Sequence, residues 1–219
     1  MRVGLLGGSF NPVHVGHLAL GRAAAEALAL DRIIVMPTGN SWQKAGMKHA
    51  PVDAAHRLSM VEIAIAPLES ARTQGCEWVA DDLEVRRAGP SYTVETLRTL
   101  RDRLGPKPAL ILILGSDQLH NLATWHRWQE LTDLAHIAVT QRERVRLIGL
   151  PEPVDRLVEQ RGAQTLPDTP AGSVVFFQMQ PIAVSATGLR EQLSRGEYPD
   201  ELLPPGVLDY IRQHHLYRH

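Results

Sequence analysis

The chain has 219 residues, 44% apolar and 21% charged, a globular composition with enough apolar material for one sizeable core. Lys and Arg total 23 against 24 acidic residues, so a net charge of −1 gives no electrostatic footprint for DNA or RNA. A single cysteine, Cys76, excludes an internal disulfide framework and argues against a cysteine-based zinc site. The longest apolar run, "ALILIL", is far below a membrane span, and "MRVGLLGG" meets its glycines too soon for a signal-peptide core. The expectation is a cytoplasmic protein with no nucleic-acid or membrane partner.

Along the chain, apolar runs alternate with helical patterns. "VGLL" (3–6) predicts a short buried strand ending at Gly7-Gly8, followed by a helix from about His14 to Ala29, rich in strong helix formers. "RIIVMP" (32–37) is a second strand closed by Pro37, and Leu58, Val61 and Ile65 recur at helical spacing over 53–66. "VADDLEVRR" (79–87) alternates in part and predicts a strand; "SYTVETLRTLRDRLG" predicts a helix capped near Ser91 or Thr93 and stopped by Gly105. "ALILIL" (109–114) is a fully buried strand, helical material follows to about Leu134, and "HIAVTQR" is another strand. The stretch 150–172, punctuated by Pro151, Pro153, Pro167 and Pro170, reads as a surface connection. "SVVFFQM" is a last strand, before short helices over about 185–194 and 206–215. Strands separated by helices predict a Rossmann-like, doubly wound α/β fold: a mainly parallel sheet, helices on both faces, and a small C-terminal helical portion. No internal repeat is visible, and one domain spanning 1–219 is expected.

The strand-to-helix turn "GGSFNPVHVGH" carries the chemistry. In open α/β sheets ligands sit beyond the carboxyl ends of strands, at the switch in strand order. Gly7 and Gly8 let backbone approach a ligand, and the helix opening near His14 offers unpaired N–H groups to an anion. His14 and His17 are one turn apart with Gly16 between them, so both imidazoles can face one phosphate. The turn has neither the G-x-G-x-x-G nor the G-x-x-x-x-G-K-[ST] pattern, and a metal reading of His-x-x-His lacks the carboxylate of H-E-x-x-H.

This turn resembles the H-x-G-H signature of the nucleotidyltransferase superfamily. Further blocks in order, "WQK", "SYTVETL", "GSDQLHNLATWHRW", "VSATGLR" and "LLPPGVLDYI", are similar to the nicotinate-nucleotide adenylyltransferases of bacteria. Asn11 stands where many members have Asp, and the "TGNS" approach to Lys44 differs from a shorter proline-rich version in some members. The resemblance implies adenylyl transfer from ATP to nicotinate mononucleotide, giving deamido-NAD and pyrophosphate. It implies Mg²⁺ carried chiefly by the ATP phosphates and water, with no protein-held metal. It places His14, His17 and Arg190 in catalysis, and Gly7, Gly8, Ser9, Phe10, Ser185 and Thr187 with them around ATP. Lys44, Thr93, Asp117 and Trp125 would meet the mononucleotide, Trp125 stacking on the pyridine ring and the backbone around it completing a carboxylate pocket.

Read without the resemblance, each residue has a plainer role. Ser185, Thr93 and Asp117 are helix caps, Lys44 is a surface lysine, and Trp125 and Trp128 are core aromatics at helical spacing. Arg57 reads as a brace for the neighbouring helix, with a phosphate role conceivable, and "HHLYRH" as a solvated helix end. The alternatives are an adenylyltransferase for nicotinamide mononucleotide or phosphopantetheine, a nucleotide sensor without catalysis, and a metal-dependent phosphohydrolase. A homo-oligomer stays open.

Overall fold

The structure is a computed structural model and describes residues 1–40, 52–71, 75–141 and 149–218. Its strands are β1 (Arg2–Gly8), β2 (Arg32–Pro37), β3 (Glu77–Ala80), β4 (Ala109–Leu114), β5 (His136–Gln141), β6 (Gly162–Ala163) and β7 (Val174–Gln178). They form one sheet in the order β3-β2-β1-β4-β5-β7-β6, and every pair is parallel. From β1 the chain winds outward through β2 and β3, then returns to lay β4 on the other side of β1. The switch in strand order therefore falls between β1 and β4, so the Rossmann-like, doubly wound architecture is present.

The helices are α1 (Val15–Leu28), α2 (Ala54–Ala71), α3 (Leu83–Arg86), α4 (Thr93–Leu104), α5 (Ser116–His120), α6 (Leu131–Leu134), α7 (Glu152–Arg161), α8 (Ala186–Ser194) and α9 (Pro205–Gln213). Period-two alternation divides each central strand between two cores. From β2 and β4, Ile33, Val35, Ile111 and Ile113 join a core with α1, α2, α8 and α9. Ile34, Met36, Leu110, Leu112 and Leu114 join the opposite core, with α4, α5, α6 and α7. Strands covered on both faces must be apolar at every position, which is why "RIIVMP" and "ALILIL" contain almost no polar residue. None of the helices among the described residues is long and apolar enough to cross a membrane.

Four sequence readings change. β1 runs on through Gly7 and Gly8, which pair with Met36 and Pro37, so the glycines belong to the strand end. The strand expected over 79–87 stops at Ala80, because the Asp81 carboxylate accepts from Leu83 N (2.8 Å) and turns the chain into α3. The connection expected over 150–172 contains α7 and the edge strand β6. Pro151 is the N-cap of α7 and Pro153 lies in its first turn, so these prolines start a helix. The continuous helical material expected to Leu134 is broken into α5, two 3₁₀ turns (122–124 and 128–130) and α6, with Arg127 left-handed at φ 53°.

Candidate active site

A cleft of about 330 Å³ opens beyond the carboxyl ends of β1 and β4, at the switch point. One wall is the β1 turn, with Gly7, Gly8, Ser9 and His17; the other carries Tyr92, Thr93, Gly115, Asp117, Trp125 and His126. The two parts that sequence reasoning assigned to separate ligands therefore face one space.

The β1 wall is tightly fixed. Phe10 is buried with φ 44°, and its ring meets His17 edge-on at 4.9 Å, so Phe10 packs behind the cleft. His14 is the N-cap of α1, and its ring stacks on His17 at 3.7 Å, 25° from parallel. Gly16 keeps this contact with the segment before α8 close: a Cβ there would lie 2.8 Å from Val184 and 3.1 Å from the His14 ring. The His14 backbone N–H donates to His17 Nδ1 at 3.2 Å. With Nδ1 an acceptor, a neutral His17 carries its proton on Nε2, where it can donate to a ligand.

His14 sits deeper and does not line the cleft; burial pulls its pKa down to about 4, and its Nδ1 is buried with no hydrogen-bond partner among the described residues. The free helix end expected at His14 is narrower than the sequence implies. Val15 N donates to Leu202 O (3.1 Å), and His17 N to His14 O (3.0 Å).

Arg57 braces loops and not a neighbouring helix. Its guanidinium is buried and donates from Nη1 to Ser9 O (2.8 Å), Nη2 to Gly39 O (3.1 Å) and Nε to Val52 O (2.9 Å). It thus joins the loops after β1 and β2 to the start of α2. Gly39 closes the junction, since a Cβ there would lie 1.9 Å from Glu84 O. The Glu84 carboxylate lines the cleft and accepts from Thr96 Oγ1 (2.7 Å). Burial raises its pKa, against the lowering effects of Thr96, Arg87, Ser91 and Arg57.

The α8 element reaches the same turn from outside the cleft. Ser185 caps α8, its hydroxyl accepting from Gly188 N at 3.1 Å, as the plainer reading holds. Arg190 donates from Nη1 to Asn11 O (3.0 Å) and from Nη2 to Thr187 Oγ1 (3.2 Å), which sets its guanidinium beside the β1 turn. Lys44 lies outside the described residues.

The second wall is looser. Thr93 is the first residue of α4 and Tyr92 is its N-cap, between the two expected cap positions Ser91 and Thr93. Asp117 lies in the first turn of α5 and accepts from Gln118 Nε2 at 2.8 Å. The Trp125 backbone N–H donates to Leu122 O (3.0 Å). The indole Nε1 is buried with no hydrogen-bond partner among the described residues. Tyr92 and His126 stack at 4.3 Å, a pair that sequence reasoning passed over because it joins two separate blocks.

These features define a nucleotidyltransferase: residues 5–192 match the cytidylyltransferase-like family. The chain is 38% identical to a protein of Herminiimonas arsenicoxydans named "probable nicotinate-nucleotide adenylyltransferase", over 99% of this chain and 96% of that one. It is 40% identical to a protein of the same name in Chromobacterium violaceum, over 99% of both chains. The chain belongs to the nicotinate-nucleotide adenylyltransferase family. The structure of Plasmodium falciparum nicotinic acid mononucleotide adenylyltransferase complexed with NaAD superposes at a TM-score of 0.70 and 18% identity, covering 99% of this chain and 97% of that one; it shares the fold.

Proposed function

We propose that this protein transfers the adenylyl group of Mg²⁺-ATP to nicotinate mononucleotide, releasing deamido-NAD and pyrophosphate. One observation carries the reading: the H-x-G-H turn and the Thr93–Trp125 wall face each other across one cleft. A phosphate oxygen of the mononucleotide attacks the α-phosphorus of ATP, a new P–O bond forms, and the bond to the β-phosphate oxygen breaks. The electron pair leaves with pyrophosphate. The attacking oxygen is already anionic near neutral pH, so no general base is needed. Catalysis is then alignment of two polyanions and compensation of charge as it moves.

In this scheme Gly7, Gly8 and Ser9 bring backbone close to the triphosphate. His17 donates from Nε2, and the arriving phosphates favour protonation of His14 behind it. Arg190, with Thr187 beside it, faces the leaving pyrophosphate, and Ser185 serves by starting α8. Mg²⁺ enters with ATP as part of the substrate. Thr93 meets the nicotinate carboxylate, the Trp125 indole ring packs on the pyridine ring, and Asp117 meets a ribose hydroxyl.

The test is product identification with Mg²⁺-ATP and three acceptors in parallel: nicotinate mononucleotide, nicotinamide mononucleotide and phosphopantetheine. Deamido-NAD and pyrophosphate should form fastest with the first. A dominant product from another tube would overturn the acceptor assignment, and ATP binding without pyrophosphate release would make the protein a sensor.

A further inference from the structure

The C-terminal tail ends beside the β1 turn, 206 positions away in sequence. After α9, His215 (φ 50°) and Tyr217 (φ 67°) both adopt left-handed backbone, a costly conformation for residues with a Cβ. Two such residues within three positions bend the tail back onto the protein. There Leu216 and Tyr217 pack against the core that holds α1, α2, α8 and α9. The bend brings the Tyr217 hydroxyl to Asn11 Oδ1 at 2.8 Å.

Asn11 is a junction. Its side-chain oxygen also accepts from Val52 N (3.3 Å), and its backbone carbonyl accepts from Arg190 Nη1 (3.0 Å). Tyr217, Val52 and Arg190 thus converge on one residue, two positions beyond Ser9 and three before His14. The Tyr217 hydroxyl is buried, and burial raises its pKa although Arg190 and Arg57 act to lower it. It therefore remains a neutral donor at neutral pH. A buried neutral hydroxyl donating to a side-chain oxygen fixes which way the Asn11 amide points. The same bond anchors residue 11, whose backbone carbonyl holds Arg190.

We infer that Tyr217 is a positioning residue for the phosphate half of the active site, acting through Asn11 on Arg190. The inference rests on the proposed function for the role of Arg190. Tyr217 touches no reacting atom; its hydroxyl holds the junction so that the guanidinium meets the triphosphate already oriented.

Tyr217→Phe keeps the ring and its packing and deletes only the hydroxyl. It should lower kcat/KM for ATP about tenfold, the effect of one well-placed hydrogen bond, with KM for the mononucleotide unchanged. In an Arg190→Ala background the same substitution should change kcat/KM for ATP by less than about twofold, because its target is gone. Asn11→Asp retains an acceptor for the hydroxyl and should preserve activity, whereas Asn11→Ala should reproduce the Tyr217→Phe loss. An unchanged kcat/KM in Tyr217→Phe, or an equal loss with and without Arg190, would overturn the inference. Amide hydrogen exchange at Phe10, Asn11 and Val13 without substrate separates this claim from the functional one. Tyr217→Phe should speed exchange there, and unchanged exchange would overturn the positioning role. Absence of adenylyl transfer by the wild-type protein would overturn the functional reading alone.

Discussion

The two walls of the cleft are built differently. On the β1 side Arg57 satisfies three backbone carbonyls, Asn11 is held from three directions, and His14 and His17 are locked ring on ring. On the β4 side the chain is broken into 3₁₀ turns, and the Trp125 indole Nε1 is buried with no partner among the described residues. Under the proposed function the contrast matches the chemistry each wall would serve. Phosphoryl transfer depends on donors held in place before charge moves, so rigidity lowers the barrier directly. Discrimination between acceptors depends on groups that only the right ligand satisfies, so the second wall can be completed by the ligand itself.

The sharpest way to break this contrast is to empty the rigid wall. His17→Ala should lower kcat by roughly 10²–10³, the cost of one transition-state donor, with smaller changes in both KM values. Steady-state kinetics checks it; an equal loss in binding would show that His17 holds the ground state as much as the transition state. Arg57→Leu should act on stability instead. It strands three carbonyls near the base of the cleft and should cost about 3 kcal/mol or more, read by urea denaturation.

Burial of His14 adds a pH signature of similar size. Its folded pKa of about 4 lies below the unfolded value of 6.5, so between these pH values the unfolded chain takes up a proton that the native protein refuses. Stability therefore rises with pH across this window and is lost on acidification, by up to about 3 kcal/mol. His14→Gln should flatten that slope. Buried His136 also has a lowered pKa, with Nε2 bonded to Thr169 O and Nδ1 accepting from Ser173 N, and adds the same sign in both proteins. The difference between them isolates His14. The smallest effect belongs to the loose wall: Trp125→Leu removes the aromatic face that would pack on the pyridine ring. KM for nicotinate mononucleotide should rise about tenfold, with KM for ATP unmoved.

What could be read from the sequence follows from the range of the interactions involved. β2 and β4 were legible to their terminal residues, because burial on both faces makes a strand continuously apolar. The His14–Gly16–His17 spacing was legible because one helical turn brings those residues together. α3 and α7 were missed where a short polar or proline signal outweighed periodicity: Asp81 ends a strand through its side chain, and Pro151 starts a helix. Arg57 and Tyr217 were read as ordinary because their partners on the β1 turn lie 48 and 206 positions away. No local pattern encodes such contacts.

The most direct test of the proposed chemistry is the fate of a label at the α-phosphorus of ATP, incubated with Mg²⁺, nicotinate mononucleotide and the wild-type protein. The account predicts that the label appears in deamido-NAD while the released pyrophosphate carries none. Label in pyrophosphate, or label left in AMP with no dinucleotide formed, would contradict adenylyl transfer in this cleft.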